Sequence, residues 1–216
     1  MTAATKHDWL KTIGLIALSI VPILAGAFRI AELSYGAQIT PHNARFFAHP
    51  FPVVLHILCA ALFCLLGAFQ FNATLTHQFP RWHRVAGRVV ALAGMAAALT
   101  GAWLAHGRQI PEALQGALLY LARMIAAAAM ALAIVLAVRA VLQRRLRHHR
   151  AWMIRAYALG QGAGTQVIVM LPVSLAFGEP TFFIRDVLMT LSWALNVVLA
   201  EWIIRRQRQI PFAKFA

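Results

Sequence analysis

Six long apolar segments, separated by short polar stretches, dominate the chain. They lie at residues 10–33, 51–72, 85–106, 114–140, 152–176 and 185–204. A helix needs about 20 apolar residues to cross a hydrocarbon layer of ~30 Å, so each segment is long enough to span a membrane. The intervening stretches are rich in proline, glycine or charge, as in HQFPRWHR and FGEPTFF. The pattern predicts an all-α integral membrane protein, a six-helix bundle that forms a single transmembrane domain over residues 1–216.

Two of the segments carry complementary surfaces. Small residues recur along one face of the third segment: Gly87, Ala91, Gly94, Ala98, Gly101 and Ala105. Such a stripe lets a second helix approach closely. The second segment presents His56, Phe63, Gly67 and Gln70 along one face. We expect these two helices to pack together at the centre of the bundle, with both polar residues of the second segment pointing inward.

The composition makes lipid the expected solvent of this chain. Hydrophobic residues make up 61% and charged residues only 12%, whereas soluble domains carry about 25% charged residues. The first apolar run is long enough to span and is followed by no small-residue cleavage site, so no cleavable signal peptide is expected. Cys59 and Cys64 lie on different faces of one helix, and we expect no disulfide between them.

The net charge of +14 first suggests nucleic-acid binding. The basic residues are, however, divided among short loops between apolar segments, and no soluble domain that could recognise nucleic acid is expected. Nucleic acid is therefore excluded as a partner. Most of the 20 lysines and arginines lie on the side of the membrane that also carries both termini. The other side has Arg29, Arg45, Arg108, Arg123 and Arg185. The positive-inside rule therefore predicts that both termini are cytoplasmic.

Polar groups of the outer half are the first candidates for chemistry, because ionisable groups at membrane depth are costly. His56 is a neutral imidazole bonded to a neighbouring helix, a metal or haem ligand, or a proton-relay or quinone contact. A haem ligand needs a second ligand facing it, for which His106 is the nearest candidate. Arg29 can pair with Glu32, three residues further on.

Arg123 lies in the fourth segment and has no acidic neighbour on its own helix. It requires a partner from elsewhere, and Glu32, Glu112 or an anionic ligand such as a haem propionate would serve. For both Arg29 and Arg123 the alternatives are a structural ion pair or a side chain that reaches towards the membrane surface.

Two stretches on the cytoplasmic side have similar sequences, each with a histidine next to an arginine and another arginine about one turn further on. PRWHRVAGR places His83 at the start of the third segment, and HHRAWMIRAY places His148 and His149 at the start of the fifth. Both starts have the same membrane polarity, so His83 and His149 lie at matching depth and are expected to form one site, with His148 as a spectator. The arginines make each stretch a cationic clamp that suits an anionic cofactor or haem propionates. The arginines of the two clamps are Arg84, Arg88, Arg150 and Arg155. The alternative is contact with lipid headgroups.

Aromatic residues flank the same stretches. Trp82, Trp152 and Tyr157 fit the aromatic belt of a membrane interface. Tyr157 is in addition counted among the candidate cofactor contacts.

Four stretches also carry a family resemblance: HPFPVVLHILCAALFCLLGAFQF, PRWHRVAGRVVALAG, HHRAWMIRAYALGQG and NVVLAEWIIRR. In order and spacing they resemble the bacterial predicted membrane proteins catalogued as domain of unknown function 2306 (DUF2306), from about Phe28 to Arg206. The resemblance implies a multi-pass protein of the bacterial inner (cytoplasmic) membrane and no particular activity. Its motif positions fall on His56, Gly67, Gln70, His83, Arg84, Gly87, Arg88, His149, Arg150, Trp152, Arg155, Tyr157 and Glu201.

A weaker similarity is to the six-helix transmembrane b-type cytochromes that hold two haems and pass electrons from ascorbate. Helix count, topology and histidines near both faces are similar. Those proteins hold each haem between histidines within helices, whereas here only His56 lies clearly inside one. The similarity therefore leaves one-haem, quinone and cofactor-free versions open.

Three functions follow from these observations. The first is a membrane electron-transfer protein that binds b-type haem or quinone, with His56, His83 and His149 as candidate haem-iron ligands. The second is a transporter of a small solute or ion. The third is a scaffold, either a homo-oligomer or a subunit of a membrane complex. No nucleotide loop, nucleophile elbow or zinc-protease motif is present, so any enzyme is expected to be a membrane oxidoreductase.

Overall fold

The computed structural model describes residues 3–107, 110–111 and 114–208. Every regular element in these ranges is an α-helix, which confirms the all-α prediction. Arg108 and Glu112 lie outside the described residues. The helices are α1 (Ala3–Tyr35), α2 (Ala44–Ala48), α3 (Pro50–Gln70), α4 (Ala73–Gln78), α5 (Pro80–His106), α6 (Ala117–Leu142), α7 (Leu146–Gly160), α8 (Gly162–Phe177) and α9 (Phe182–Arg208).

Among the described residues, five helices are long and apolar enough to cross a membrane: α1, α3, α5, α6 and α9. The segment predicted at 152–176 corresponds to α7 and α8, which meet at an angle of 42° and make a sixth span if counted together. Most helices extend beyond their apolar segments, because polar residues at the membrane surface continue a helix. The second segment, in contrast, ends at Gln70 rather than at 72. Asn72 instead caps α4, with its Oδ1 accepting a hydrogen bond from the Leu75 backbone nitrogen at 2.9 Å.

The predicted packing of α3 against α5 is present, and glycines make it possible. A Cβ atom added to Gly94 would lie 2.5 Å from the Phe63 ring, and one added to Gly101 would lie 3.1 Å from His56 Cε1. The Gln70 side chain lies against Gly87 at the other end of the same seam. The stripe of small residues on α5 therefore receives the large and polar side chains of α3.

Around this pair, α6 and α7 complete a central core. Phe63, Val90, Ile134 and Tyr157 are buried together there. The other helices surround the core, and large apolar side chains such as Leu92 and Ile125 cover the outer surface. Such a surface is stable only against lipid.

The two ends of the bundle are named here by what they contain. At the terminal end, where α1 begins and α9 ends, Asp8 accepts hydrogen bonds from the backbone nitrogen and Oγ1 of Thr74 at 3.1 and 3.0 Å. At the opposite, far end, Asp186 of α9 lies beside Gly116 and accepts a hydrogen bond from the Leu119 backbone nitrogen of α6 at 3.3 Å.

The break between α7 and α8 is supported by side chains from neighbouring helices. It leaves carbonyls near the end of α7 without their usual partners, which is costly away from water. Trp193 Nε1 donates to the Leu159 carbonyl at 3.2 Å, and Asn196 Nδ2 donates to the Ala158 carbonyl at 3.0 Å. The break is therefore a stable feature of the fold.

Candidate functional site

The terminal end brings His83 and His149 together. His83 lies in the first turn of α5 and His149 in the first turn of α7, and the two imidazoles lie within electrostatic range of each other. His149 Nδ1 is 3.0 Å from the Ala137 carbonyl oxygen of α6. A carbonyl only accepts, so Nδ1 carries a proton, and in the neutral imidazole Nε2 is the nitrogen with the free lone pair. His148 is exposed, as expected of a spectator.

Two buried polar atoms at this end lack a partner among the described residues. One is Nδ1 of His83 and the other is Nε2 of Gln70. Gln70 contacts Gly87, which lies one helical turn after His83 on the same face of α5. Buried polar groups are nearly always satisfied by protein, water or a ligand. The ends of α3 and α5 therefore have unused hydrogen-bonding capacity beside the two histidines.

The predicted cationic clamps are used in different ways. Arg84, Arg88 and Arg150 are exposed at the terminal end, where they remain accessible to an anion. Arg155 instead makes a two-point ion pair with Glu201 of α9, with Nε–Oε1 and Nη2–Oε2 distances of 2.6 and 3.1 Å. Its guanidinium carbon also lies 4.4 Å from the centre of the Trp152 ring. Arg155 thus joins α7 to α9.

Tyr157 is not part of an aromatic belt, and that prediction was wrong. The residue is only 4% exposed and packs between Phe63 and Phe71. Its hydroxyl donates to the Cys64 carbonyl at 2.7 Å and accepts from Gln161 Nε2 at 2.7 Å. Position 157 lies about three turns into α7, whose C-terminal half packs in the core, so Tyr157 does not lie at the membrane interface.

His56 faces α5 from α3, as predicted. Its Nδ1 is 3.0 Å from the Ala97 carbonyl oxygen and 3.1 Å from Thr100 Oγ1. The Thr100 hydroxyl lies 2.6 Å from the Ala96 carbonyl, to which it donates. His56 Nδ1 is therefore the donor to Ala97, and Nε2 is left with a lone pair.

A cavity of about 170 Å³ lies beside His56. It is enclosed by α1, α3 and the junction of α7 with α8, and it is mostly apolar. Pro22 of α1 and Gln161 at the junction of α7 with α8 are among the residues that line it. Gln161 Oε1 accepts a hydrogen bond from Ser19 Oγ at 3.0 Å, so the amide is held in place. The cavity combines apolar walls with a single imidazole, an arrangement that suits a small lipid-soluble molecule.

His106 does not lie opposite His56. It is exposed at the end of α5, and its Nδ1 lies 2.9 Å from the Tyr120 hydroxyl. His49 is also exposed and contacts the edge of Trp103, with ring centres 5.1 Å apart. Neither His106 nor His49 therefore provides a second imidazole ligand opposite His56.

The predicted pair of Arg29 and Glu32 is present, with Nη1 and Oε2 2.5 Å apart. Arg123 hydrogen bonds to the Gln115 side-chain oxygen, and its acidic neighbour is Asp186. Sequence reasoning did not identify Asp186 as that neighbour, because α6 and α9 are far apart in the chain. Gln161 was also missed, although a lone amide inside an apolar, glycine-rich stretch was a usable signal.

Both cysteines are free, as expected, and Cys64 Sγ lies 3.7 Å from the Gly160 carbonyl oxygen. Among the described residues, no group of three or more His, Cys, Asp or Glu side chains is arranged to hold a metal ion. A protein-only metal site is therefore not formed by the part of the chain that the structure describes.

Comparison with known proteins gives one match. A family model described as "predicted membrane protein (DUF2306)" matches residues 53–204. This range includes α5, α6, α7 and α8 in full, and with them His83 and His149. No curated protein and no solved structure matches the chain.

Proposed function

This chain belongs to the DUF2306 family of predicted membrane proteins, and we propose that it is an electron-transfer protein of the bacterial inner membrane that holds one b-type haem at its terminal end. His83 and His149 are the proposed axial ligands. The observation that carries the proposal is that the two histidines come within electrostatic range of each other from different helices, and that His83 Nδ1 and Gln70 Nε2 are buried without a partner among the described residues.

Haem suits a pair of imidazoles better than a free metal ion does. The porphyrin supplies four nitrogen ligands itself, so two histidines complete the coordination of its iron. Structural and catalytic metal ions usually take at least three ligands from protein, and no such group is arranged among the described residues. When bound, the haem would supply one-electron redox chemistry.

The surrounding residues match the needs of such a group. The Ala137 carbonyl fixes the tautomer and orientation of His149, as backbone carbonyls do for histidines that ligate a metal through the other ring nitrogen. The exposed guanidinium groups of Arg84, Arg88 and Arg150 can pair with carboxylates at the membrane surface. Within the described ranges, Gln70 Nε2 is a buried donor without an acceptor.

A quinone is the second cofactor that we propose, at the His56 cavity. His56 Nε2 can accept a hydrogen bond from a quinol hydroxyl, since Nδ1 is committed to Ala97. The apolar walls suit the ring and its tail. Electrons would then pass between the quinone in the cavity beside His56 and the haem held by His83 and His149 at the terminal end.

Haem content tests the proposal. The protein is purified from cells supplied with a haem precursor, and the haem per polypeptide is measured by the pyridine haemochrome method for wild type, His83→Ala and His149→Ala. The matched control is His148→Ala, an exposed histidine adjacent to the ligand. We expect about one haem in wild type and control and less than a tenth of that in either ligand variant. Equal content in all four proteins would refute the assignment.

Transport of a small solute is the second candidate function. The observation in its favour is the broken span, since the 42° bend between α7 and α8 and the proline of α1 both face the cavity. Transporters place broken helices around binding sites near the middle of the bilayer. Uptake into proteoliposomes that is lost in Gln161→Leu and kept in His83→Ala would favour this function over electron transfer.

A further inference from the structure

The far end gathers basic side chains from four separate helices. They come from α1, α2, α6 and α9 and are Arg29, Arg45, Arg123 and Arg185, here called the far-end cluster. Arg45 lies within electrostatic range of Arg29 and of Arg123, and Arg123 within range of Arg185. Like charges repel, so their convergence needs a compensating group.

Two carboxylates lie beside the arginines of the far-end cluster, and each is already paired with one of them. Glu32 Oε2 lies 2.5 Å from Arg29 Nη1. Asp186 is only 2% exposed; its Oδ1 lies 3.3 Å from Arg185 Nη2 and its Oδ2 accepts from the Leu119 backbone nitrogen at 3.3 Å. Within the described residues, the positive charges thus exceed the negative ones by two.

Arg45 and Arg123 carry this excess. Among the described residues, Arg123 hydrogen bonds to a neutral acceptor, the Gln115 side-chain oxygen, and Asp186 attracts it from nearby. The Nε atom of Arg45 is buried and has no hydrogen-bond partner in the part of the chain that the structure describes. Burial, together with the charge of Arg29, lowers the pKa of Arg45 below its usual value.

The ring of Phe46 holds two of these guanidinium groups in place. The guanidinium carbon of Arg29 lies 4.3 Å from the ring centre and that of Arg45 lies 4.6 Å from it. Contacts of this kind orient a guanidinium without using its N–H donors. The donors of Arg45 therefore remain available for a ligand.

We propose that the far-end cluster binds a phosphate-bearing anion. Guanidinium forks match the oxygens of phosphate and bind them through paired, charge-assisted hydrogen bonds. An anion here would balance the excess charge and give Arg45 Nε an acceptor. A cation cluster close to hydrocarbon is otherwise costly.

The phosphate could come from a phospholipid headgroup or from solution. The far-end cluster lies near the ends of membrane-spanning helices, at the depth of headgroups. Arg29 and Arg185 remain partly exposed, with 27% and 17% of their side-chain surfaces accessible, so free phosphate can also enter. Both sources present the same oxygens to the arginines.

Thermal unfolding of the full chain distinguishes these sources. The protein is purified in an uncharged detergent and melted with inorganic phosphate or with chloride at equal ionic strength. In a second arm it is melted in micelles containing phosphatidylglycerol or an uncharged glycolipid. A hundredfold excess of ligand over its Kd should raise the midpoint by about 5 °C. We expect this rise with phosphate, with phosphatidylglycerol, or with both, and not with chloride or glycolipid.

Variants identify the residues involved. Arg45→Gln should abolish the rise, and Arg45→Lys, which keeps the charge but loses the fork, should reduce it. Arg81→Gln, an exposed arginine at the terminal end, should keep it in full. Equal midpoints in phosphate and chloride together with equal midpoints in phosphatidylglycerol and glycolipid would overturn the proposal, as would a full rise in Arg45→Gln. Loss of stability in Glu112→Gln without any phosphate effect in wild type would also overturn it, because Glu112 would then be the counterion.

Discussion

The Nδ1 atom of His149 lies 3.0 Å from the backbone carbonyl oxygen of Ala137, so α6 fixes the ring that begins α7. The ring nitrogen left free, Nε2, is the one that histidine commonly offers to a metal. His83, from α5, is the neighbouring imidazole. Three helices thus converge on one pair of side chains.

The contact of Gly94 with Phe63 and Ile134 should not tolerate a methyl group. The added Cβ would lie 2.5 Å from the Phe63 ring and 2.9 Å from Ile134 Cδ1. We expect Gly94→Ala to lower the free energy of unfolding by about 1–3 kcal/mol, because the seam between α3 and α5 must open. Denaturation in mixed micelles measures the change. Gly14→Ala is the control, since nothing lies within 4 Å of its added Cβ, and adding Phe63→Leu should partly restore Gly94→Ala.

The Tyr157 hydroxyl should contribute to stability through its two hydrogen bonds. Tyr157→Phe leaves the Cys64 carbonyl and Gln161 Nε2 without this partner. The expected loss is about 1–2 kcal/mol in the same unfolding measurement. Tyr35→Phe, on a residue that is 65% exposed, should change nothing measurable. If the two variants were equally stable, Tyr157 would not have the structural role assigned here.

The ion pair of Arg155 and Glu201 should couple α7 to α9. Both side chains are partly accessible, at 24% and 32%, so the coupling free energy should be modest. A double-mutant cycle with Arg155→Gln and Glu201→Gln should give about 1 kcal/mol, the upper range for accessible pairs, because the contact has two points. Arg150→Gln combined with Glu201→Gln provides the control and should give no coupling. Additive effects of the Arg155 and Glu201 changes would show that the contact is not energetically significant.

Orientation in the membrane is open to direct labelling. The distribution of Lys and Arg predicts that the terminal end is cytoplasmic. An impermeant maleimide added to intact cells should therefore label Glu179→Cys and leave His148→Cys unlabelled until the cells are lysed. Both positions are exposed, and the native Cys59 and Cys64 lie inside α3, so the unmodified chain serves as the blank. The reverse labelling pattern would place the terminal end outside the cell membrane and the far end in the cytoplasm.

Parts of this structure could be read from local patterns. The glycines of α5 and the polar residues of α3 predicted their mutual packing, because helical periodicity places each set on one face. The equal depth of His83 and His149 followed from the polarity of their segments. Segment ends were less accurate, because polarity marks where lipid ends and not where a helix ends.

Other features depend on contacts between distant parts of the chain. Nothing near Tyr157 distinguishes a buried tyrosine from an interfacial one, since the difference is made by Phe63 and Phe71 on either side of it. The approach of Asp186 to Arg123 likewise requires α9 to pack beside α6. The break at Gln161 was marked by glycines, but its supporting donors, Trp193 and Asn196, come from another helix.

The absorption spectrum of the purified, dithionite-reduced protein, recorded before and after carbon monoxide, shows whether His83 and His149 hold a haem. If His83 and His149 both ligate haem iron, wild type should show a Soret band that carbon monoxide leaves unchanged, because both axial positions are filled. In His149→Ala any remaining haem should bind carbon monoxide and shift that band. A wild-type protein without a Soret band, after expression with haem supplied, would contradict the account.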